Sequence, residues 1–409
     1  MTDAILKNYA QLVARSGANI QPGQPAIIAA DISAAKFARL VQEACFDAGA
    51  SEVFMNWRDE ISSRTHYLRA ADEIFDQFPD WLVERSKHYD GKGVAYIMIY
   101  SDNPDNLNGV DPDRIKRFAK ISREKTSETA ALRMSNKLRW TICAVPSVSW
   151  AKKIFPDLDD CAAVEKLWER ILKASRADGA DPIAEWKAHR ESFVKRVDYL
   201  NDAQFDKLRF KNGLGTDLVL GMPKDHIWKG GGSVCANGLN FHPNIPTEEI
   251  YTAPDRARAE GRVVASLPLS YQGSLIDGIE IIFKDGKAVE YKAKENDAVL
   301  KSIIEMDEGS ARLGEVALVP NASPINQMKT LFYNTLYDEN ASCHLALGKA
   351  YPTSIKGGAE QSLEELEKRG INHSLTHVDF MFGTEDMCIW GIDETGNETL
   401  IFENGEYKF

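Results

Sequence analysis

Six side chains in the C-terminal part of the chain have the chemistry of metal ligands. They are Glu249 in NIPTEEIYTAP, Glu315 in ARLGEVALVP, Glu339 and His344 in YDENASCHLALGKAYP, and His377 and Asp379 in HSLTHVDFMFG. Carboxylates and imidazoles hold hard to borderline divalent metals. Six ligands exceed what one ion needs, so the set points to a two-metal hydrolytic centre.

Each residue also has a plainer reading when taken alone. His377 and Asp379 lie two apart in an extended-looking run, so on a strand they share a face while Val378 turns away. The alternative is a polar edge strand. The apolar neighbours Phe380, Met381 and Phe382 weigh against it, because unpaired polar groups are costly to bury. Glu315 stands between Gly314 and Val316-Ala317-Leu318-Val319, as a strand-end ligand or a rim residue. Glu248 and Glu249 follow Pro246-Thr247, which also fits a Thr-capped turn with acidic residues in the first turn of a helix. Glu339, beside Asp338 and Asn340, also fits a solvated helix start. His344 taken alone is more often a core histidine. The sequence predicts a helix over Asn340 to Ala350; if it continues, His344 and Tyr351, seven apart, share a face. The co-occurrence of all six in one domain favours metal.

The elements that must position these residues fall into two groups. At 409 residues the chain is too long for one ordinary core, so two domains are expected. Short apolar runs at Ala26–Ala30, Glu52–Trp57, Val94–Tyr100 and Trp140–Val145 read as strands. Helical periodicity separates them over Ala34–Ala48, Asp72–His88 and residues 112–136, and recurs from Asp159 to Tyr199. Alternating strands and helices imply a parallel sheet covered on both faces. Beyond residue 200 come Gly, Pro and short alternating runs, with a hairpin signal at Asp285-Gly286 and helices over Asn296–Met306 and Leu363–Arg369. The expected fold is an α/β N-terminal domain with a mainly parallel sheet, residues 1–200, followed by an α+β domain, residues 201–409. The second is rich in antiparallel strands and carries the metal site.

A net charge of -12 argues against nucleic-acid or anionic-membrane partners, whose phosphates would be repelled. The N-terminus lacks the pattern of a signal peptide, and no run approaches the roughly 20 apolar residues a bilayer span needs. The six cysteines are scattered without a CxxC pair, which excludes a zinc knuckle or redox motif and fits a reduced, cytoplasmic setting. Trp228 to Ser233 is glycine-rich but lacks phosphate-loop spacing, and reads as a flexible turn or close-packed backbone. No GxGxxG follows the first strand, so no dinucleotide is expected. His226 and His242 read as structural, and Trp57, Trp81, Trp140, Trp168 and Trp186 as core.

Taken together, NIPTEEIYTAP, RLGEVALVP, NASCHLALGKAYP and THVDFMFG resemble the metal-binding segments of the aminopeptidase T type of metallo-aminopeptidases, which include the PepS and AmpS enzymes. The opening segments GANIQPGQPAII and EACFDAGASEVFMNW resemble the N-terminal domain of that family. The resemblance implies metal ligands at Glu249, Glu315, Glu339, His344, His377 and Asp379, and places Tyr351 at the metal centre. It also implies two divalent ions (Co, Zn, Mn or Mg) and a homodimer enclosing a cavity. The substrates would be peptides with a free N-terminus. The general base stays open: Glu248 is one candidate, against a helix-start residue facing solvent. Tyr351 could instead donate a hydrogen bond to the oxyanion. The rival readings are another two-metal hydrolase, an amidase or phosphoesterase, and a metal-dependent binding protein without turnover.

Overall fold

The computed structural model describes residues 2–409, which divide into two compact units. The first comprises the chain up to His189 together with Gly232–Thr247; the second comprises Arg190–Gly231 and Glu248–Phe409.

In the first unit, strands Pro25–Asp31, Glu52–Arg58, Ala95–Tyr100 and Trp140–Ala144 form a parallel sheet. Its order places the first strand between the second and the third, with the fourth outermost. The apolar run at residues 26–30 is almost wholly buried, as a central strand with both faces covered requires. Asp31 ends it and accepts a hydrogen bond from the Ser33 amide, turning the chain into helix Ala35–Asp47.

The helices differ in detail from expectation. Residues 72–88 are not one helix but a 3-10 turn, Asp72–Asp76, and a helix, Asp80–Asp90. Pro79 separates them, because the residue before a proline is pushed out of helical geometry. Helix Glu60–Arg69, which buries no residue, has little apolar periodicity to announce it. The 112–136 stretch breaks at Thr126 into Pro112–Lys125 and Ser127–Met134. The 159–199 stretch becomes Asp160–Ala174 and Pro182–Ala203, with Arg176 left-handed between them. Trp57 and Trp81 are not core: they are 39% and 64% exposed. Trp186 is fully buried and donates its indole N–H to the Ser175 carbonyl at 2.7 Å.

The chain crosses between units more than once, where a single boundary near residue 200 was expected. Backbone pairing accounts for this. The amide of Ile142 donates to Pro243 O, and the amide of Ile245 donates to Ile142 O, so the 243–245 segment lies along the edge of the fourth strand. Among the described residues no helix is long and apolar enough to cross a membrane.

The second unit holds two larger antiparallel sheets. One has eight strands, ordered Lys287–Lys292, Glu280–Lys284, Ala259–Val264, Asp217–Gly221, Lys207–Lys211, Cys388–Ile392, Glu398–Glu403, Glu406–Tyr407. Its predicted hairpin forms: Lys284 pairs Lys287, and Asp285 and Gly286 both have positive φ. The other has five strands, ordered His377–Met381, His344–Gly348, Leu313–Leu318, Ile250–Thr252, Lys229–Gly230. Both contribute to one core, with Leu208, Phe210, Leu218 and Ile281 from the first sheet. Ile250, Val316, Leu318, Leu345, Leu347, Val378 and Phe380 come from the second.

Candidate metal centre

Register decides which side chains meet in the five-stranded sheet. Ile250 pairs Leu318, Ala317 pairs His344, Glu315 pairs Ala346, and Ala346 pairs Asp379. Paired residues on antiparallel strands share a face, and neighbours along a strand alternate. One face therefore holds Ile250, Val316, Leu318, Leu345, Leu347, Val378 and Phe380, all in the core. The opposite face gathers Glu315, His344, His377 and Asp379, with Glu249 leading in.

His344 begins a strand, not the helix predicted over Asn340–Ala350. Helical propensity loses to pairing on both edges and to the burial of Leu345 and Leu347. Tyr351 lies beyond that strand, before a short 3-10 turn. It reaches the site through its ring, whose centroid is 5.7 Å from that of His377. Glu249 precedes strand Ile250–Thr252, so the acidic helix start is not formed. Glu315 lies inside its strand, where the register skips between Leu313 and Glu315.

Two groups of potential ligand atoms result. Atoms of Glu249, Glu315 and His344 lie within 4.8 Å of one another, and so do atoms of Glu315, His377 and Asp379. Glu315 belongs to both. Its Oε1 is 3.7 Å from His344 Nε2, and its Oε2 is 3.6 Å from His377 Nε2. His344 Nε2 is also 3.0 Å from Glu249 Oε2, and His377 Nε2 is 3.3 Å from Asp379 Oδ1.

The outer hydrogen bonds fix the rings. His344 Nδ1 is 3.3 Å from the Ser342 carbonyl, and His377 Nδ1 is 2.7 Å from that of Lys349. A carbonyl only accepts, so each Nδ1 carries the proton and each Nε2 turns toward the carboxylates. His344 Nε2 and Asp379 Oδ1 are buried without a well-formed hydrogen bond. Imidazole nitrogens facing carboxylate oxygens at 3.0–3.7 Å need a cation, proton or metal, between them. The residues fit two divalent ions sharing the Glu315 carboxylate.

Without a metal, protons take that role. Burial opposes charge on His377, but Asp379 and Glu315 outweigh it and raise the imidazole to about 10. Burial, then Glu249 and Asp379, push Glu315 up to about 7 against the opposing pull of the His344 and His377 imidazoles. A metal must displace these protons. Metal uptake near neutral pH should therefore release protons, and affinity should fall as the pH is lowered. Calorimetry in two buffers of different ionisation enthalpy measures the release; uptake without it would contradict the shared-proton arrangement.

Glu339 stands outside both groups but faces them. Burial raises its carboxyl well above the usual range, with Asp379 and Glu249 adding to the effect. Its place is set by tertiary bonds. Asp338 accepts the amides of Phe332 and Asn334 at 2.7 and 3.0 Å. The fully buried Asn340 accepts the Glu248 amide at 2.7 Å and donates to the Leu336 carbonyl at 2.9 Å. Glu248 is buried, contrary to a solvent-facing helix start. Burial, with Glu315 and Tyr251 nearby, holds the Tyr351 phenol well above its usual range, so it is a donor at neutral pH. Tyr251 escaped the sequence reading. Its ring centroid is 5.7 Å from that of Tyr351, and its sequence signal is its place two residues after Glu249, which on an extended run puts both on one face. The carbonyls of Ser342 and Lys349 are main-chain atoms and leave no such signal.

The Peptidase_M29 family model, described as thermophilic metalloprotease, matches residues 2–407. Aminopeptidase 2 of Geobacillus stearothermophilus is 40% identical over 404 residues, covering 99% of this chain and 98% of that protein. Aminopeptidase AmpS of Bacillus subtilis is 41% identical over 404 residues, with the same coverage. The solved structure of wild-type AmpT from Thermus thermophilus superposes with a TM-score of 0.91 at 38% identity, covering 99% of both chains. The family match runs through both units and through every strand that carries a candidate ligand, and the chain belongs to the M29 metalloprotease family.

Proposed function

We infer that this protein is a metal-dependent aminopeptidase that hydrolyses the N-terminal peptide bond of short peptides. The observation that carries the reading is the division of the two Glu315 oxygens between His344 and His377. Two divalent ions held there by Glu249, Glu315, His344, His377 and Asp379, with Glu339 completing the set, would activate a water and polarise the scissile carbonyl.

The chain's own groups do the rest. Tyr351, kept protonated, donates a hydrogen bond to the carbonyl oxygen as negative charge builds on it. Glu248, anchored through its amide to Asn340, is the candidate base that takes the proton from the attacking water. The surrounding carboxylates favour the cationic α-amine of a free N-terminus, which confines cleavage to the first residue.

The test is hydrolysis of aminoacyl p-nitroanilides by metal-stripped protein, with Co, Mn, Zn or Mg added back. Activity should be lost on stripping, return with metal, and be absent on N-acetylated substrates. Equal cleavage of acetylated substrates, or hydrolysis only of phosphoesters, would replace the aminopeptidase with another two-metal hydrolase.

A further inference from the structure

The five-stranded sheet carries one basic residue besides its two histidines, and that residue is Lys229. It stands opposite Tyr251 in the ladder. Tyr251 stands opposite Ala317, and Ala317 opposite His344. This row puts the lysine side chain on the face that holds the ligands. Its neighbour Gly230 checks the assignment. A Cβ there would meet Phe193 at 2.8 Å and Ile250 at 2.9 Å, both core side chains, so Gly230 faces the core and Lys229 faces away from it.

Lys229 is half-buried, and burial alone lowers its ammonium to about 8. Among the described residues no carboxylate pairs with it. A partly desolvated cation without a counter-ion is costly, and on the face of an active site it has the character of a binding group. The other charged groups on this face are the carboxylates and imidazoles of the ligand cluster, engaged with one another, so Lys229 is the cation left to meet an anionic part of a substrate.

Distance selects the anion. Lys229 is three strands from His344, roughly 14 Å at ordinary strand spacing, and its side chain reaches part of that way. Tyr251 and Ala317 stand between them in the row, an aromatic ring next to the lysine and a small residue next to His344. An extended peptide of two or three residues spans about 7–10 Å. With its amino end at the metal ligands, its C-terminal carboxylate comes within reach of the ammonium.

We propose that Lys229 anchors the C-terminal carboxylate of di- and tripeptides, so that the site reads both ends of a short peptide. This inference rests on the aminopeptidase reading above. Its test compares a tripeptide having a free carboxylate with the same tripeptide as its C-terminal amide. The wild-type protein should prefer the free acid in kcat/KM by roughly tenfold or more, as a charge-assisted hydrogen bond provides. Lys229→Met and Lys229→Gln should remove that preference by raising KM for the acid more than they change kcat. Lys229→Arg should keep most of it. A wild-type enzyme indifferent to amidation, or variants that retain the preference, would overturn the anchor. So would variants that lose kcat equally on both substrates. A wild-type protein that cleaves neither peptides nor p-nitroanilides, which have no carboxylate, would instead defeat the aminopeptidase activity itself.

Discussion

Glu315→Gln should lower peptide turnover by roughly three orders of magnitude or more, a loss of about 4 kcal/mol in transition-state stabilisation. The substitution hardly changes volume, but it replaces one carboxylate oxygen with an N–H donor that cannot bind a cation. Glu315 directs one oxygen to each half of the site, so neither orientation of the amide preserves both. Metal analysis of the purified variant should show less than two ions per chain while the thermal transition persists. A variant that keeps two ions and normal turnover would remove Glu315 from the centre.

A comparably large effect on stability is expected at Gly314. A Cβ at this position would lie 2.3 Å from the Gly348 carbonyl oxygen and 2.6 Å from the Lys349 carbonyl carbon. Both are backbone atoms and cannot rotate aside. Gly314→Ala should cost about 2–4 kcal/mol and shift the register skip that aims Glu315. Metal affinity should fall with it, since the neighbouring His377 ring is held by the same Lys349 carbonyl. Gly179 is exposed, with nothing within 4 Å of its would-be Cβ, and Gly179→Ala should melt like the parent. Equal melting of both variants would show that the strands part easily at this point.

The legible parts of the site were those with a local period. His377 and Asp379 share a face because strands alternate, and the apolar residues around them marked the strand. The parallel sheet of the first unit was legible for the same reason, through its uninterrupted apolar runs. His344 was misplaced onto a helix because Leu-Ala-Leu-Gly-Lys-Ala carries ordinary helical propensity. Only pairing with strands distant in sequence selects the extended form, and the spacing of Leu345 and Leu347 was the trace of it. Glu339 depends on Asp338 and Asn340, whose partners are backbone groups of a loop and of the Glu248 segment. The return of residues 232–247 to the first unit rests on main-chain bonds to Ile142. Trp81 misled because a helix face can look apolar yet stay 64% exposed.

The alternation in the ligand-bearing sheet has a consequence for protein engineering. Candidate ligand and core positions are interleaved one by one along the same strands, so a library that randomises contiguous codons would disturb both sets at once. Varying only Tyr251, Ala317, Ala346 and Met381 would alter the face that gathers the candidate ligands. The hydrophobic set at Ile250, Val316, Leu318, Leu345, Leu347 and Phe380 would stay intact. Selectivity could then be evolved on one side of a single sheet while robustness is kept on the other.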